Sequence, residues 1–484
     1  MTSPGAPNGA DTAPQDVAPN EMPAEIPRPS EQGKGLGHSL EVTSSSGQTI
    51  EVPATRSSIS DTHMQRLSLS PSMKDRRGSR NSFGVSLPIP REPRKSSRLS
   101  VVGKPTTHVR NILASELQDQ EKEKVKKVKN MCFCFDIDGV LAHGNNAIAE
   151  AQACLKMLNG DNELGIQFPY ILLTNGGGKT EEARCAQLSE VLGVPISTDQ
   201  FIQSHTPMQA LAEYYENVLV CGGEGFKVRE VAEHYGFKNV IHPKDILAWD
   251  PTISPCRKFT EEEQKLAKPR DFSKFKFDAI MCFAESHDQS TEFQIILDLL
   301  LSANGKLLTR AKNPAARDAV AGHIPIYFSQ GDLLCPTEHK GPPRLHLGAF
   351  RVALEAQYKA LTGRDLERIV YGKPERATYI VADEIIKSWM EEIHGEKRLP
   401  ENVYMIGDNP QSDIIGGNLY GWNTCLVRTG VFQGQGNDEN NPANFGVFDH
   451  VYDAVKAAIK KEIGDDFKFK WDPKKHSPHG SAVE

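Results

Sequence analysis

Long apolar runs are missing from this chain of 484 residues. No stretch approaches the roughly 18 apolar residues that a bilayer-spanning helix needs, so the sequence predicts no integral membrane segment. An excess of positive charge is also missing, because the formal net charge is −7. Nucleic-acid binding domains are typically basic, so no nucleic-acid partner is expected.

Paired cysteines are missing as well. The chain has nine cysteines but no CxxC motif and no regular framework of pairs. Several of them stand in apolar runs, namely Cys132, Cys134, Cys221, Cys282 and Cys425. This placement is typical of buried free thiols in a reducing compartment.

Residues 1–110 have few aromatic side chains and are dense in Pro, Ser, Gly and Asn. Such a segment cannot offset the entropy lost on ordering, so we expect a disordered tail. Its Arg- and Ser-rich part contains RRGS and RKSS, which resemble substrates of basic-directed kinases and suggest regulation by phosphorylation. The acidic, Pro-rich N-terminus is unlike a targeting signal, whereas the stretch after Met64 would look like a transit peptide if translation began there.

The stretch FCFDIDGVL places two carboxylates, Asp136 and Asp138, directly after a short apolar run. The run reads as a strand buried on both faces, and ligand sites of parallel sheets lie beyond the carboxyl ends of such strands. The pattern fits a nucleophile with an acid/base beside it. A calcium loop is the rival interpretation, but Ala147 stands where its twelfth-position Glu is required. A plain strand-to-turn junction with capping aspartates is the other alternative.

A second apolar run, YILLTN, ends at Thr174 and Asn175 and is followed by three glycines from Gly176. The hydroxyl and the backbone N–H groups suit a phosphate at the start of the next helix. An ordinary Gly-rich turn is the alternative. A Walker A loop is rejected because its first glycine would fall on Leu173, and a dinucleotide fingerprint at GGEG is rejected because Val228 replaces its last glycine.

Two later segments complete the set of charges. YGKPE contains Lys373, and VYMIGDNPQSDIIGG contains Asp408 and Asp413. A turn and a helix cap are the alternatives for these two aspartates. If all four segments meet at strand ends, one lysine cannot balance four carboxylates, and a hard divalent cation such as Mg²⁺ would resolve the repulsion. Nucleophile, metal, lysine and small donors are what phosphoryl transfer needs.

The motifs DIDGV, LLTN, GKP and GDNPQSDI, in this order, resemble the haloacid dehalogenase superfamily. The long insert between the second and third motifs resembles its subfamily IIA, closest to the cat eye syndrome critical region protein five group. The resemblance implies an α/β fold in which a doubly wound, Rossmann-like parallel sheet forms the core and carries an inserted α/β cap. The expected boundaries are a tail at 1–110, a charged lead-in helix at 111–129, core at 130–215, cap at 216–343, core at 344–462 and a polar tail at 463–484.

The same resemblance implies roles for the motif residues. Asp136 would form an aspartyl-phosphate, and Asp138 would protonate the leaving group and then activate water. Lys373 would steady the nucleophile. Phosphate would be bound by Thr174, Asn175 and Gly176. Mg²⁺ would be held by the Asp136 carboxylate, the Asp138 backbone carbonyl and Asp408, with Asp413 supporting the site from outside these ligands.

The cap departs from the family pattern near its last strand. Where subfamily IIA commonly carries Asn-Pro-Asp, this chain reads YFSQGDLL, so Gln330 and Gly331 replace Asn and Pro while Asp332 is kept. Asp332 is therefore the candidate for substrate specificity, with a turn role as the alternative.

These features predict a Mg²⁺-dependent phosphatase acting on a small soluble phosphomonoester. A non-catalytic scaffold or regulatory protein on the same fold is one alternative. A phosphatase of phospholipid metabolism is another, but it would need an apolar cap mouth, whereas the cap sequence is mixed polar and charged. The resemblance favours a mitochondrial location, with the cytoplasm as the alternative, and the sequence leaves a homodimer open.

Overall fold

The computed structural model describes residues 40–43, 49–52, 107–311 and 324–470, with side chains from residue 118 onward. The strands, numbered in chain order, are β1 (Leu40–Thr43), β2 (Thr49–Val52), β3 (Met131–Phe135), β4 (Ala142–His143), β5 (Asn146–Ala147), β6 (Tyr170–Leu173), β7 (Phe201–Ile202), β8 (Asn217–Cys221), β9 (Asn239–Ile241), β10 (Ala279–Cys282), β11 (Ile326–Phe328), β12 (Leu334–Cys335), β13 (Arg344–Leu345), β14 (Ile369–Val370), β15 (Asn402–Gly407), β16 (Asn423–Val427) and β17 (Gly446–Phe448).

The α-helices are α1 (Thr107–Lys129), α2 (Ala149–Leu158), α3 (Glu181–Leu192), α4 (Lys227–His234), α5 (Pro243–Trp249), α6 (Glu261–Leu266), α7 (Gln289–Leu300), α8 (Leu347–Thr362), α9 (Arg376–His394), α10 (Ile415–Tyr420) and α11 (Val451–Glu462). Short 3₁₀ segments lie at Thr198–Gln200, Thr206–Glu213 and Pro251–Ile253, and a π-helical turn lies at Pro410–Ile414.

Residues 1–68 form a first unit, in which β1 and β2 pair as an antiparallel ladder with Leu40 opposite Val52. The ladder is a local exception within the segment that was predicted to be a disordered tail. LEVT and TIEV each alternate apolar and polar residues, a period-two signal that the composition of the whole tail hides. The remainder of the predicted tail up to residue 106, with both kinase-like segments, lies outside the described residues.

The second unit, residues 69–484, contains a six-stranded parallel sheet in the order β17-β16-β15-β3-β6-β7. Its central strand β3 is fully buried, as its unbroken apolar run predicts. Phe133 and Phe135 pack with helices α2, α3 and α11 on one face, while Cys132 and Cys134 pack with α9 on the other. Each buried phenylalanine stabilises the fold by about 1.5–3 kcal/mol. The predicted doubly wound core is confirmed.

The cap is a second parallel sheet, in the order β14-β11-β10-β8-β9. Helices α7 and α8 cover one face and α4 covers the other. Because all strands of both sheets run parallel to their neighbours, each sheet presents all its carboxyl ends at one edge. Three of the four sequence motifs follow strands of the core sheet, namely β3, β6 and β15, and YGKPE follows β14 of the cap sheet.

Two predicted boundaries are wrong. The cap does not end at residue 343, because Ile369–Val370 pairs with Tyr327–Phe328 in the cap sheet and α8 packs into the cap core. An amphipathic helix packs equally well on either sheet, so its sequence did not reveal which one it joins. Helix α1 begins at Thr107 rather than at residue 111.

The chain after α11 is not simply a polar tail. Phe467 is 3% exposed and meets the ring of Phe168 edge-on at 6.0 Å. Residues 463–470 therefore belong to the core, and only the part of the predicted C-terminal tail from residue 471 lies outside the described residues. Isolated aromatic residues in a charged segment gave no periodic signal that would predict this packing.

The nine cysteines are all free. The five expected to be buried, Cys132, Cys134, Cys221, Cys282 and Cys425, are buried. None of the helices in the described ranges combines the length and the apolar character that crossing a bilayer requires.

Replacing Phe467 with Ala should lower the free energy of unfolding by about 3 kcal/mol, because a buried aromatic ring is lost and a cavity remains. Denaturant titration of Phe467→Ala and of the matched variant Lys468→Ala, at the exposed neighbouring position, measures this. Lys468→Ala should change stability by no more than about 0.5 kcal/mol. Equal effects of the two variants would show that residues 463–470 do not stabilise the core.

Candidate active site

Asp136 and Asp408 follow two adjacent strands of the core sheet. Phe135 on β3 lies opposite Ile406 on β15, and the Asp136 N–H donates to the Ile406 carbonyl oxygen at 3.0 Å. Because the strands are parallel neighbours in register, the chain turns away from the sheet at the same edge after both. The two carboxylates are 7% and 1% exposed and line one pocket.

Lys373 joins the carboxylates of this pocket. Its Nζ lies 2.6 Å from Asp136 Oδ1 and 2.6 Å from Asp413 Oδ1. Burial alone would lower the pKa of Lys373, but attraction to Asp136 and Asp413 outweighs burial and raises it well above the ordinary value. The ammonium group is therefore held in its charged form between two buried carboxylates.

The negative charge exceeds what Lys373 balances. Oxygens of Asp136, Asp408 and Asp413 lie within 4.8 Å of one another. Burial raises the pKa of Asp136 to about 7 in spite of Lys373. Burial, followed by repulsion from Asp136 and Asp413, raises the pKa of Asp408 well above its ordinary value. A cluster of buried carboxylate oxygens short of one or two positive charges fits a hard divalent cation such as Mg²⁺.

Hydrogen bonds within the protein distinguish the carboxylates. Asp413 uses both oxygens, since Oδ1 meets Lys373 and Oδ2 accepts from the Asn409 N–H at 3.0 Å. Asp408 accepts from the Val431 N–H through Oδ2 at 2.5 Å. Asp408 thus keeps an oxygen for a metal, whereas Asp413 is suited to a supporting position outside the direct ligands.

Two glycines give these aspartates room. A Cβ at Gly407 would lie 2.1 Å from Asp413 Cγ, and a Cβ at Gly430 would lie 1.9 Å from Asp408 Oδ2. Gly407 stands inside the motif that the sequence singled out. Gly430 lies in the loop after β16, where the apolar run TCLV followed by RTG was an available signal for a further strand end at the site.

The predicted phosphate-binding residues divide into two kinds. Thr174 Oγ1 accepts from the Gly176 N–H at 2.9 Å, and both residues line the pocket. Asn175 also lines the pocket, but its amide Nδ2 donates to Asp332 Oδ2 at 2.8 Å and to the Lys373 carbonyl at 2.9 Å, while its Oδ1 accepts from the Lys373 N–H at 2.7 Å. The Asn175 side chain thus links the core to the cap, and the predicted phosphate contact of this residue stays a prediction.

Asp138 lies half-buried at the pocket wall, with its Oδ2 at 4.0 Å from an Arg184 guanidinium nitrogen. Burial raises the pKa of Asp138, and the nearby positive charge of Arg184 opposes that rise. Arg184 lies on α3, which the Gly-rich turn leads into. Arg184 lies outside the sequence motifs, although a basic residue in the first turns after a phosphate loop was a usable signal.

The cap supplies the opposite wall through Asp332, Leu334 and His346. His346 caps α8 by accepting from the Leu347 N–H at 2.9 Å, and its Nε2 lies 2.7 Å from Glu285 Oε1. Burial raises the pKa of Asp332. Asp332, the predicted specificity residue, therefore does lie in the pocket, whereas His346 and Glu285 had no recognisable motif.

The Gln330 that departs from the family pattern supports Asp332. Its Oε1 accepts from the Asp332 N–H at 2.5 Å, and its amide nitrogen contacts His346. A polar side chain here organises the cap loop beside the pocket. The loop also approaches α8 closely, since a Cβ at Gly348 would lie 2.2 Å from the Gly331 carbonyl oxygen.

A model described as haloacid dehalogenase-like hydrolase matches residues 133–238, and one described as HAD-hydrolase-like matches residues 370–454. A solved 4-nitrophenylphosphatase from Thermotoga maritima is similar with a TM-score of 0.43 and 17% identity, covering 68% of this chain and 98% of that one.

Two curated fungal proteins are more similar in sequence. A cardiolipin synthase (CMP-forming) / mitochondrial hydrolase fusion protein of Schizosaccharomyces pombe is 40% identical over 346 residues, which are 71% of this chain and 55% of that protein. The chain thus spans about half the length of that relative. A mitochondrial hydrolase of Saccharomyces cerevisiae is 38% identical over 353 residues, which are 69% of this chain and 96% of that protein. With one relative matched almost from end to end and family models matching two separate stretches, the chain belongs to the haloacid dehalogenase-like hydrolases.

Proposed function

We propose that this hydrolase is a Mg²⁺-dependent phosphatase that cleaves a phosphomonoester through an aspartyl-phosphate on Asp136. The observation that carries the proposal is the position of Asp136 at a strand end, 2.6 Å from the Lys373 ammonium and in one pocket with Asp138 and Thr174. A carboxylate held by a cation and facing a second carboxylic acid has the parts that covalent phosphoryl transfer uses.

In the first step a carboxylate oxygen of Asp136 attacks phosphorus, and the bond from phosphorus to the leaving oxygen breaks. Asp138 gives its proton to that oxygen, so an alcohol leaves. In the second step Asp138 takes a proton from water as the water attacks the phosphoryl group. The bond to Asp136 breaks, and inorganic phosphate and the free carboxylate are restored.

Lys373 and the phosphate-binding residues act throughout both steps. Lys373 orients Asp136 and offsets negative charge. The Thr174 hydroxyl, whose oxygen accepts from the Gly176 N–H, keeps its proton for a phosphoryl oxygen. Mg²⁺ would be held by Asp136, the Asp138 backbone carbonyl and Asp408, where it would neutralise carboxylates and phosphoryl group together. Both oxygens of Asp413 are bound by the protein, so Asp413 would hold the Lys373 ammonium in position without being a direct ligand of Mg²⁺.

A scaffold without catalysis is the weaker alternative. Burying an ionised group costs several kcal/mol unless it is compensated. A protein that only binds partners has no use for Asp136, Lys373, Asp408 and Asp413 crowded into one pocket. The crowding therefore supports catalysis over a purely structural role.

The leaving group has two candidates. One is a small soluble phosphomonoester, for which the polar pocket wall around Asp332 is the support. The other is the head group of a phospholipid, which is supported by the name of the Schizosaccharomyces pombe relative, a fusion that includes a cardiolipin synthase. Both fungal relatives are named as mitochondrial, and we propose the mitochondrion over the cytoplasm for this chain.

Asp136→Asn should reduce kcat by at least ~10³-fold, because the aspartyl-phosphate can no longer form. Asp138→Asn should still release 4-nitrophenol, a good leaving group, in a first-turnover burst, since that departure needs no proton. Stopped-flow absorbance measures both, and circular dichroism checks that each variant folds. Near-normal turnover by Asp136→Asn would exclude it as the nucleophile.

Activity should require Mg²⁺ and disappear in EDTA, and Asp408→Ala should raise the Mg²⁺ concentration needed for half-maximal rate. Losing a group that merely supports a ligand costs roughly 10- to 100-fold in metal affinity, so losing a ligand should cost at least ~10-fold. The matched control is Asp365→Ala, which removes a carboxylate that is 87% exposed. Full activity in EDTA, or equal Mg²⁺ dependence in both variants, would contradict the metal assignment.

Asp332→Ala should reduce kcat/KM for the best substrate of a phosphometabolite panel by about 10- to 200-fold, because a polar contact to the leaving group is lost. For 4-nitrophenyl phosphate, which offers no such contact, the loss should be small. Equal losses on the two substrates would show that Asp332 instead holds Asn175 and the core-to-cap link. No loss on either would place it outside the reaction.

A further inference from the structure

A short antiparallel hairpin of the cap borders the pocket. It is formed by β12 and β13 within residues 333–345, and Leu334 lies directly opposite Leu345 in the ladder. We call residues 333–345 the leucine hairpin. Directly paired residues of an antiparallel ladder place their side chains on the same face, about 5 Å apart. The ladder therefore presents a leucine pair on one face of the hairpin.

The leucines of this hairpin are unusually exposed. Leu333 is 53% exposed, Leu334 39% and Leu345 69%. Within the described residues, three of the nine exposed large hydrophobic side chains fall in this one segment, so the exposure is clustered rather than scattered. Clustered exposed apolar surface marks an interaction site, whereas single exposed leucines need no explanation.

The apolar cluster is continuous with the active site. Leu334, Cys335 and Pro336 line the pocket together with Asp138 and Asp332. The pocket wall of the cap therefore includes apolar side chains beside the polar ones that the sequence emphasised. The sequence hid the pair because Leu345 lies far from Leu334 along the chain and is brought opposite it only by the hairpin.

The hairpin also carries exposed positive charge. Lys340 and Arg344 are exposed, and neither has an ion-pair partner among the residues that the structure describes. The acidic Glu338 is engaged, since its carboxylate accepts from the Asn145 N–H of the core at 2.9 Å. Leucines flanked by free Lys and Arg are typical of segments that bind an anionic membrane surface.

A lipid fits this surface better than a second protein does. Leu334 is both part of the exposed cluster and part of the pocket wall, so a protein partner covering the cluster would also lie against the substrate entrance. A lipid phosphomonoester joins a phosphate covalently to an apolar portion. The pocket would bind the phosphate, and the neighbouring leucines would bind the apolar portion.

We propose that the leucine hairpin docks on an anionic bilayer and receives the apolar part of a lipid phosphomonoester, whose phosphate enters the Asp136 pocket. This inference rests on the proposed phosphatase activity and selects the lipid head group over the small soluble ester as its substrate. Docking places the pocket at the bilayer surface, so a phosphorylated head group reaches Asp136 without the lipid leaving the membrane.

The test compares two substrates with the full chain. The soluble one is 4-nitrophenyl phosphate, and the other is dioleoyl phosphatidic acid in vesicles of phosphatidylcholine and phosphatidylglycerol. The variant Leu333→Ser/Leu345→Ser removes exposed leucines that do not line the pocket. The matched control Leu361→Ser/Leu419→Ser removes two leucines that are 58% and 78% exposed elsewhere.

The wild type should sediment with the vesicles and hydrolyse both substrates. The hairpin variant should lose at least ~10-fold in vesicle binding and in hydrolysis of the vesicle lipid, because each leucine contributes through burial, yet it should keep its rate on 4-nitrophenyl phosphate. The control variant should behave as the wild type. Lys340→Gln/Arg344→Gln should weaken vesicle binding by roughly 5-fold per charge, and less at high salt.

Three results would overturn the inference. In the first, the wild type hydrolyses 4-nitrophenyl phosphate but neither binds vesicles nor cleaves their lipid. This result would contradict the lipid assignment and leave the proposed phosphatase activity unaffected. Equal losses of vesicle binding in the hairpin and control variants would show that the hairpin does not bind the membrane. A lipid-free dimer that Leu333→Ser/Leu345→Ser converts to a monomer would identify the surface as an interface between copies. Inactivity of the wild type on both substrates would instead count against the phosphatase proposal itself.

Discussion

The structure of the site depends on one buried ammonium group shared by two carboxylates. Lys373 Nζ lies 2.6 Å from both Asp136 and Asp413, and all three residues are almost fully buried. Without that cation, two buried negative charges would face each other uncompensated, which proteins avoid by protonation or rearrangement. With it, Asp136 is held in one orientation. The negative charge of Asp408 has no such partner within the described part of the chain, and a divalent cation bound beside it would balance that charge.

Three parts of the fold place residues around the Lys373 ammonium. The core sheet brings Asp136 and Asp408 together because β3 and β15 are parallel neighbours. Lys373 arrives just after β14, the last strand of the cap sheet. Asn175 then ties the backbone of Lys373 to Asp332 of the cap through its amide. Cap and core are thus coupled at Lys373. In the proposed mechanism, a leaving group bound by the cap would meet Asp136 already held in position.

Much of this arrangement was predictable from the sequence, because it depends on short patterns of neighbouring residues. Asp136, Thr174 and Asp408 each end an apolar run, and parallel strands bring their carboxyl ends together at one edge. The membership of β14 in the cap sheet and the contact between Asn175 and Asp332 were not predictable. Both depend on pairings between residues far apart in the chain, for which a single sequence carries no periodic signal. The exposed leucine pair was hidden for the same reason.

The central claim is that Asp136 carries the phosphoryl group during turnover, and the most direct measurement looks for that group. The wild-type protein would be acid-quenched during hydrolysis of 4-nitrophenyl phosphate and reduced with borohydride, which converts an acyl-phosphate to an alcohol. Peptide mass spectrometry would then identify the modified residue. The account predicts conversion of Asp136 to homoserine, dependent on substrate. Modification at another residue, or none at a quench time when turnover is under way, would contradict it.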